Sequence, residues 1–310
     1  MYSVKWSFSI NKGFQVCCRI CKVRKKVAVM LHYRQYQDIQ SFSRDTVPCL
    51  EKNEAFHNLL LGLLAASGKQ GSSCPLLMGV FQKKETIQLI LFQTEPQQII
   101  VSAAEPVSYG EIEVIASTLI HECSDIHGFV GERDITIRIA AEVAKQKNYQ
   151  YRIVMNQRIY ELRELKKQPD ESGEFRKLTL QDLLFIENAV YDFCEDTLQP
   201  LTRSEAKNKC RELYGQGGLY GWAAEGRIVA MANATRPTRN NMNINFVFTP
   251  RELRGRGYAS NCVAALTKSM LNKGYKTASL YTDLSNPTSN KIYMDIGFKP
   301  VGDSVLIHFL

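Results

Sequence analysis

The chain has 310 residues, 45% hydrophobic and 23% charged, a composition suited to a globular protein of two ordinary domains. Its net charge of +8 suggests nucleic acid, but residues 1–29 hold seven basic residues and no acidic one, which leaves +1 for everything after them. A nearly neutral body argues against nucleic acid as its partner, and no apolar run approaches the roughly 18 residues of a membrane span.

In chain order the basic leader, residues 1–29, comes first. It mixes Cys17, Cys18 and Cys21 with Arg24-Lys25-Lys26 and shows no regular period. A signal peptide needs a longer apolar core and a small-residue cleavage site. Cys18 and Cys21 have the spacing of half a zinc site, but no second pair lies nearby, so no metal is expected. The leader reads as a poorly ordered extension. The alternatives are an arm for nucleic acid or acidic lipid, and a translation start at Met30. The nine scattered cysteines read as reduced thiols of a cytoplasmic protein.

The polar stretch 166–173, with Pro169 and Gly173, is the best linker. It divides the body into residues 30–165 and 174–310. The halves share an ordered, faint likeness. Leu77-Met78-Gly79-Val80-Phe81 matches Leu219-Tyr220-Gly221-Trp222-Ala223, Thr94-Glu95-Pro96 matches Thr235-Arg236-Pro237, and Lys147-Asn148-Tyr149 matches Lys273-Gly274-Tyr275. At the offset of the last match, Gly128–Arg133 falls on Arg254–Ala259. That register predicts a duplicated domain in which Glu132 occupies the first half's anion site.

In the second half a strand starts at Phe175, and Thr179 with Asp182 predicts a helix cap. Helices are expected at 182–193 and 204–214, then a hairpin of 219–224 and 228–235 around Glu225-Gly226. Strand 242–249 leads into Arg254-Gly255-Arg256-Gly257-Tyr258-Ala259. Ala259, Val263, Leu266 and Met270 then recur at the spacing of one helical face. Strand 278–282, a helix opened by Asn286-Pro287 and stopped by Gly297, and strand 305–309 complete the order. A strand, a glycine turn and a helix start make an anion site, because unpaired N–H groups and the positive end of the helix dipole meet there. A Rossmann fingerprint would need a third glycine and an acidic residue about 20 positions on. A P-loop would need Gly-Lys-Ser/Thr. Neither is present.

Phe248-Thr249-Pro250 followed by Arg254-x-x-Gly257-x-Ala259 resembles the acetyl-CoA signature of the GNAT superfamily of N-acetyltransferases. Asn286-Pro287-Thr288-Ser289-Asn290-Lys291-Ile292-Tyr293 with Gly297-Phe298 resembles its closing segment. Residues 30–165 resemble the degenerate first half of tandem members. Leu50-Glu51 to Gly62 is similar to the opening of bacterial proteins of that type. The resemblance implies a mixed α/β (α+β) fold of two GNAT-like domains, each a mostly antiparallel twisted sheet flanked by helices, with a cofactor slot between splayed central strands. It implies an acetyltransferase that moves acetyl from acetyl-CoA to a primary amine by direct attack. Val247, Phe248 and Thr249 would line the slot. Arg254, Gly255, Arg256, Gly257, Tyr258, Ala259 and Ser260 would hold the pyrophosphate. Asn286 would contact the pantetheine arm, and Tyr293 would be the general acid.

Plainer readings stand beside these. Arg254 and Arg256 read equally as solvated charges, Asn286 as a helix cap and Tyr293 as a core residue. Glu187, Asp192, Glu195 and Asp196 are the candidates for a general base. A non-catalytic CoA-sensing or interaction protein is the alternative function. The acceptor is an unidentified small-molecule or peptide amine, and neither its identity nor the oligomeric state is written in the sequence.

Overall fold

The structure, a computed structural model, describes residues 31–69, 73–171, 173–197 and 200–310. The expectations for residues 1–29 lie outside them. In chain order the first half runs β1 (His32–Gln35), α1 (Ile39–Leu50), α2 (Asn58–Ser67), β2 (Leu77–Lys83), β3 (Thr86–Gln93), β4 (Ile99–Ala103), α3 (Tyr109–Glu122), β5 (Gly128–Glu132), α4 (Arg133–Lys147) and β6 (Tyr151–Leu162). The second half repeats that order: β7 (Glu174–Lys177), α5 (Leu183–Asp196), α6 (Arg203–Gly215), β8 (Leu219–Ala224), β9 (Arg227–Thr235), β10 (Asn241–Phe248), α7 (Tyr258–Asn272), β11 (Thr277–Asp283), α8 (Pro287–Ile296) and β12 (Lys299–Phe309). The fold is mixed α/β, as expected.

Local chemistry sets many of these boundaries. Asp38 accepts from the Ser41 N–H at 2.7 Å and caps α1. Thr202 and Glu205 form a capping box at α6, and Thr179 with Asp182 forms one ahead of α5. Arg176 makes two hydrogen bonds of 2.8 Å to the Asp182 carboxylate and lowers its pKa to about 2. The β8–β9 hairpin turns through Glu225 and Gly226, both at positive φ (50° and 73°), the pairing a two-residue hairpin of matching twist requires.

The strands form one sheet in the order β1-β2-β3-β4-β5-β12-β6-β11-β10-β9-β8-β7. Only β4–β5 and β10–β11 run parallel. The last strand of each half pairs with the fifth strand of the other. β12 pairs with β5 from Ser304↔Glu132 to His308↔Gly128, and β6 with β11 from Ala278↔Leu162 to Asp283↔Gln157. β6 and β12 pair with each other from Lys299↔Glu161 to Phe309↔Tyr151. β12 therefore starts at Lys299 rather than at 305. Its first residues carry Pro300 and Gly302, where the register shifts, a place a sheet tolerates proline.

Alternation along the strands builds a core on each face. In the first half Leu77, Phe81, Leu89 and Leu91 face α3 and α4, while Met78, Val80, Ile90 and Phe92 face α1 and α2. In the second half Met242, Ile244, Ala278 and Leu280 pack with α7 and α8. Leu219, Met231 and Phe248 pack with α5 and α6. Each fully buried large side chain contributes roughly 1.5–3 kcal/mol.

The topology corrects the register of the repeat. Both matches at β2/β8 and after β3/β9 fall on equivalent elements. The later ones do not: Gly128–Arg133 is β5, the counterpart of β11, with the first residue of α4, whereas Arg254–Ala259 runs into α7, the counterpart of α3. Lys147-Asn148-Tyr149 likewise ends α4 while Lys273-Gly274-Tyr275 ends α7. Gly131 is a strand glycine, required because a Cβ there would come within 2.0 Å of the Val101 carbonyl oxygen. Glu132 ends the strand before α4, away from the first turn of α3. The short glycine matches misled because a lone glycine serves strand contact and turn alike.

Candidate active site

β10 and β11 hydrogen-bond in parallel from Asn241↔Thr277 to Ile244↔Leu280, and then part, β10 running on to Phe248 and β11 to Asp283. A bulge opens this fork. Between Asn245 and Phe248, β10 carries one residue more than β9, and Phe246 sits at φ 48° with its ring 4.6 Å from that of Phe193 on α5. Past Ile244, the β10 backbone facing β11 has no strand partner. Val247 lies on the α7 side of the fork, and Phe248 on the α5–α6 side, where it is buried.

The chain leaves the fork through buried Thr249 and a short 3-10 turn, Arg251–Leu253, into the glycine turn. Gly255 (φ 79°) and Gly257 (φ 81°) take backbone conformations that disfavour any side chain. A Cβ on either would meet nothing within 4 Å, so the space beside them is open. Gly257 precedes the first residue of α7 and offers no capping side chain, so the N–H groups of Tyr258, Ala259 and Ser260 face outward at the positive end of the dipole. Outward N–H groups at a helix start suit an anion.

The equivalent turn in the first half is closed. Glu105-Pro106-Val107-Ser108 stands where the second half has Arg254-Gly255-Arg256-Gly257. Glu111 accepts from the Ser108 N–H at 2.8 Å and its hydroxyl at 2.7 Å, and Lys83 pairs with Glu111 at 2.6 Å. A carboxylate thus occupies the start of α3 where an anion would bind. At the β4–β5 fork, pairing ends at Val101↔Gly131, and Ser102 just beyond bonds His57 Nδ1 at 2.8 Å beside a cavity of about 30 Å³.

The two arginines of the turn differ. Arg254 donates to the Thr249 carbonyl at 3.0 Å and to Asp196, while Arg256 is exposed. Asp196 also accepts from Arg251 at 2.6 Å. Burial works against the Asp196 anion, but these two arginines outweigh it and hold its carboxyl below the usual range. Of the base candidates, Asp196 is therefore engaged as an ion-pair anchor between α5 and the turn. Glu187, Asp192 and Glu195 lie along α5.

Asn286 caps α8, its Oδ1 accepting from the Ser289 N–H at 3.1 Å. Tyr293, on the same helix, is 8% exposed, with ring centroids 6.5 Å from Tyr160 and 6.1 Å from Phe298. Burial pushes its phenol well above the ordinary tyrosine range. Tyr160 belongs to β6 of the first half, and its hydroxyl donates to Asn290 Oδ1 at 2.9 Å. Asn290 in turn donates to the carbonyls of Asp283 at 3.0 Å and Asn286 at 2.6 Å, tying the end of β11 to α8. Lys167, at the interhalf connection, donates to Ser260 Oγ at 3.1 Å in the first turn of α7. Tyr160 and Lys167 gave no sign in the sequence, because their partners lie 130 and 93 residues away.

Residues 183–298 match the model of the acetyltransferase (GNAT) family, and the second half accordingly carries a GNAT acetyltransferase-family domain. No curated protein matches the chain by sequence. Solved structures share the fold across both halves. An acetyltransferase of the GNAT family from Colwellia psychrerythraea superposes with a TM-score of 0.56 at 12% identity, covering 90% of this chain and 98% of its own. A Drosophila protein gives 0.63 at 13% identity with the same coverages of 90% and 98%. A tandem GNAT protein from the clavulanic acid biosynthesis pathway gives 0.55 at 10% identity, covering 91% and 98%. The first half therefore has a GNAT-like fold as well. Among the described residues no helix is long and apolar enough to cross a membrane.

Proposed function

We propose that the second half transfers an acetyl group from acetyl-CoA to a primary amine by direct attack. The observation that carries this reading is the contrast between two equivalent helix starts. α7 begins at an uncapped glycine beside an open fork, while α3 is stoppered by Ser108 and Glu111. One anion site per chain is what a single cofactor needs.

When bound, acetyl-CoA supplies the activated thioester: an N–C bond forms as the C–S bond breaks, and the departing thiolate takes up one proton. The N–H groups at the start of α7 would hold the pyrophosphate, with exposed Arg256 adding charge beside them. The β10 backbone at Val247 and Phe248, past the last pair with β11, would align the arm along β10 and offer a hydrogen bond to the thioester oxygen. Tyr293 would hold the proton for the thiolate at its phenolic oxygen, where burial keeps it protonated across neutral pH. With Asp196 engaged by two arginines, the amine's own proton is assigned to solvent. None of the cysteines is required. Cys194, Cys210 and Cys262 are buried free thiols, which suits the cytoplasmic setting we assign.

The test is thiol release from acetyl-CoA by the purified full chain across an amine panel. Turnover with at least one amine class is expected. Tight CoA binding with no turnover on any amine would overturn the transferase reading in favour of a CoA sensor.

A further inference from the structure

One face of the paired strands that lead to the β10–β11 fork is covered by helices. Met242, Ile244, Ala278 and Leu280 point into the core covered by α7 and α8. Ser279 and Tyr281 alternate with them along β11 and so lie on the opposite face. Tyr281 is also the first residue of β11 beyond its last pair with β10, so its side chain stands where the fork opens. On that face the first half supplies the neighbouring wall: the Tyr281 hydroxyl donates to the Phe56 carbonyl at 3.0 Å.

Beside Tyr281 is a cation without a counter-ion. The Arg236 guanidinium carbon lies 5.6 Å from the Tyr281 ring centroid. Its Nε is sealed from solvent with no hydrogen-bond partner, and among the described residues no carboxylate pairs with it. Glu54, a carboxylate at the junction, is already committed to the Asn240 and Asn241 N–H groups at 2.8 and 3.1 Å and to the Thr238 hydroxyl. Burial without a partner lowers the Arg236 pKa.

The rest of the junction fixes this side chain in place. Arg236 holds φ 48°, a left-handed conformation unusual for a residue with a side chain. Asn58 of α2 locks the turn by donating to the Arg236 carbonyl at 2.9 Å. The arginine stem lies on Gly62 of α2, where a Cβ would come within 2.6–2.7 Å of its Cβ, Cγ and Cδ. A strained backbone, a donor from the other half and a glycine hold a guanidinium with no carboxylate partner among the described residues beside Tyr281, the residue at which the fork opens. A half-buried guanidinium whose Nε is sealed off without a partner gains from an anion that arrives to satisfy it.

We propose that Arg236 binds the carboxylate of the acceptor, so that the substrate amine belongs to a small amino acid. The assignment rests on the transferase reading and deepens it. The guanidinium anchors the carboxylate through charge-assisted hydrogen bonds, the amine of the same molecule faces the fork, and the first half becomes a wall of the acceptor site.

The experiment compares glycine, L-alanine, L-phenylalanine and L-glutamine, each beside its own carboxamide, at one pH with saturating acetyl-CoA. The carboxamides hold the less basic amines and start with more free amine, so a preference for the acids reports recognition of the carboxylate. The expected result is a kcat/KM at least about tenfold higher for the preferred acid than for its amide. Arg236→Gln should raise KM for the acid about 10- to 100-fold with little change in kcat and erase the acid preference, and Arg236→Lys should restore part of it. Equal use of acids and amides by the native chain, or a preference that survives Arg236→Gln, would overturn the proposal. If no amine turns over, the transferase reading has failed separately. Equilibrium titration with N-acetylglycine against N-acetylglycinamide then decides: binding that needs the carboxylate and weakens with Arg236→Gln upholds the anion site, and indifference to both overturns it.

Discussion

The Tyr160 hydroxyl donates to Asn290 Oδ1 across 2.9 Å, joining a strand of the first half to the helix that carries Tyr293. Because β6 lies directly beside β11, this contact belongs to the second half's sheet although Tyr160 precedes the linker. Tyr160 is 1% exposed and Asn290 half-buried, so the bond is partly shielded from water. Tyr160→Phe is expected to cost about 1 kcal/mol, since it removes a part-buried hydrogen bond. The fall in melting temperature should be about 2–4 °C. An unchanged melting temperature would mean that Asn290 finds another donor.

Tyr293→Phe should lower kcat by about 10²- to 10⁴-fold with KM for acetyl-CoA nearly unchanged, since the proton matters only as the thiolate leaves. Its pKa is raised by burial, so it stays protonated as pH rises through the neutral range. The native chain should therefore show no basic decline of kcat attributable to this residue between about pH 7 and 9. Equal kcat for Tyr293→Phe would return the ring to a packing role against Tyr160 and Phe298.

His57 gives a stability signature. Burial lowers its pKa from 6.5 to about 4, so between those values the unfolded chain binds the proton more readily than the folded one. This contribution is fully present above pH 6.5 and is lost as pH falls toward 4. The loss is on the order of 3 kcal/mol. His57→Gln should flatten the dependence of denaturant midpoint on pH across that window. A slope identical to that of the native chain would place the acid sensitivity elsewhere.

Much of the second half was legible because its signals are local. Gly257 and Tyr258 mark the start of α7, Asn286-Pro287 the start of α8, and Glu225-Gly226 the hairpin, each within a few residues of its effect. What stayed hidden is long-range. The exchange of β6 and β12 depends on which sheet edge a strand finds, and nothing in Tyr151–Leu162 names β11 as its neighbour. Arg236 was read only as one member of a repeated tripeptide. Its significance rests on the absence of a counter-ion, and sequence spacing cannot register an absence. The repeat register failed for a different reason: the lysine and tyrosine that close α4 resemble those that close α7, although the counterpart of α7 is α3.

The central claim is one acetyl-CoA site, at the start of α7 and not at α3. Calorimetric titration of the full chain with acetyl-CoA tests it most directly, run on the native protein, Gly257→Asp and Glu111→Gln. The account predicts one equivalent bound by the native chain. Gly257→Asp, which sets a carboxylate and a Cβ at φ 81°, should weaken affinity at least about tenfold, and Glu111→Gln should leave it unchanged. Two equivalents, or an affinity that ignores Gly257→Asp and falls with Glu111→Gln, would contradict it.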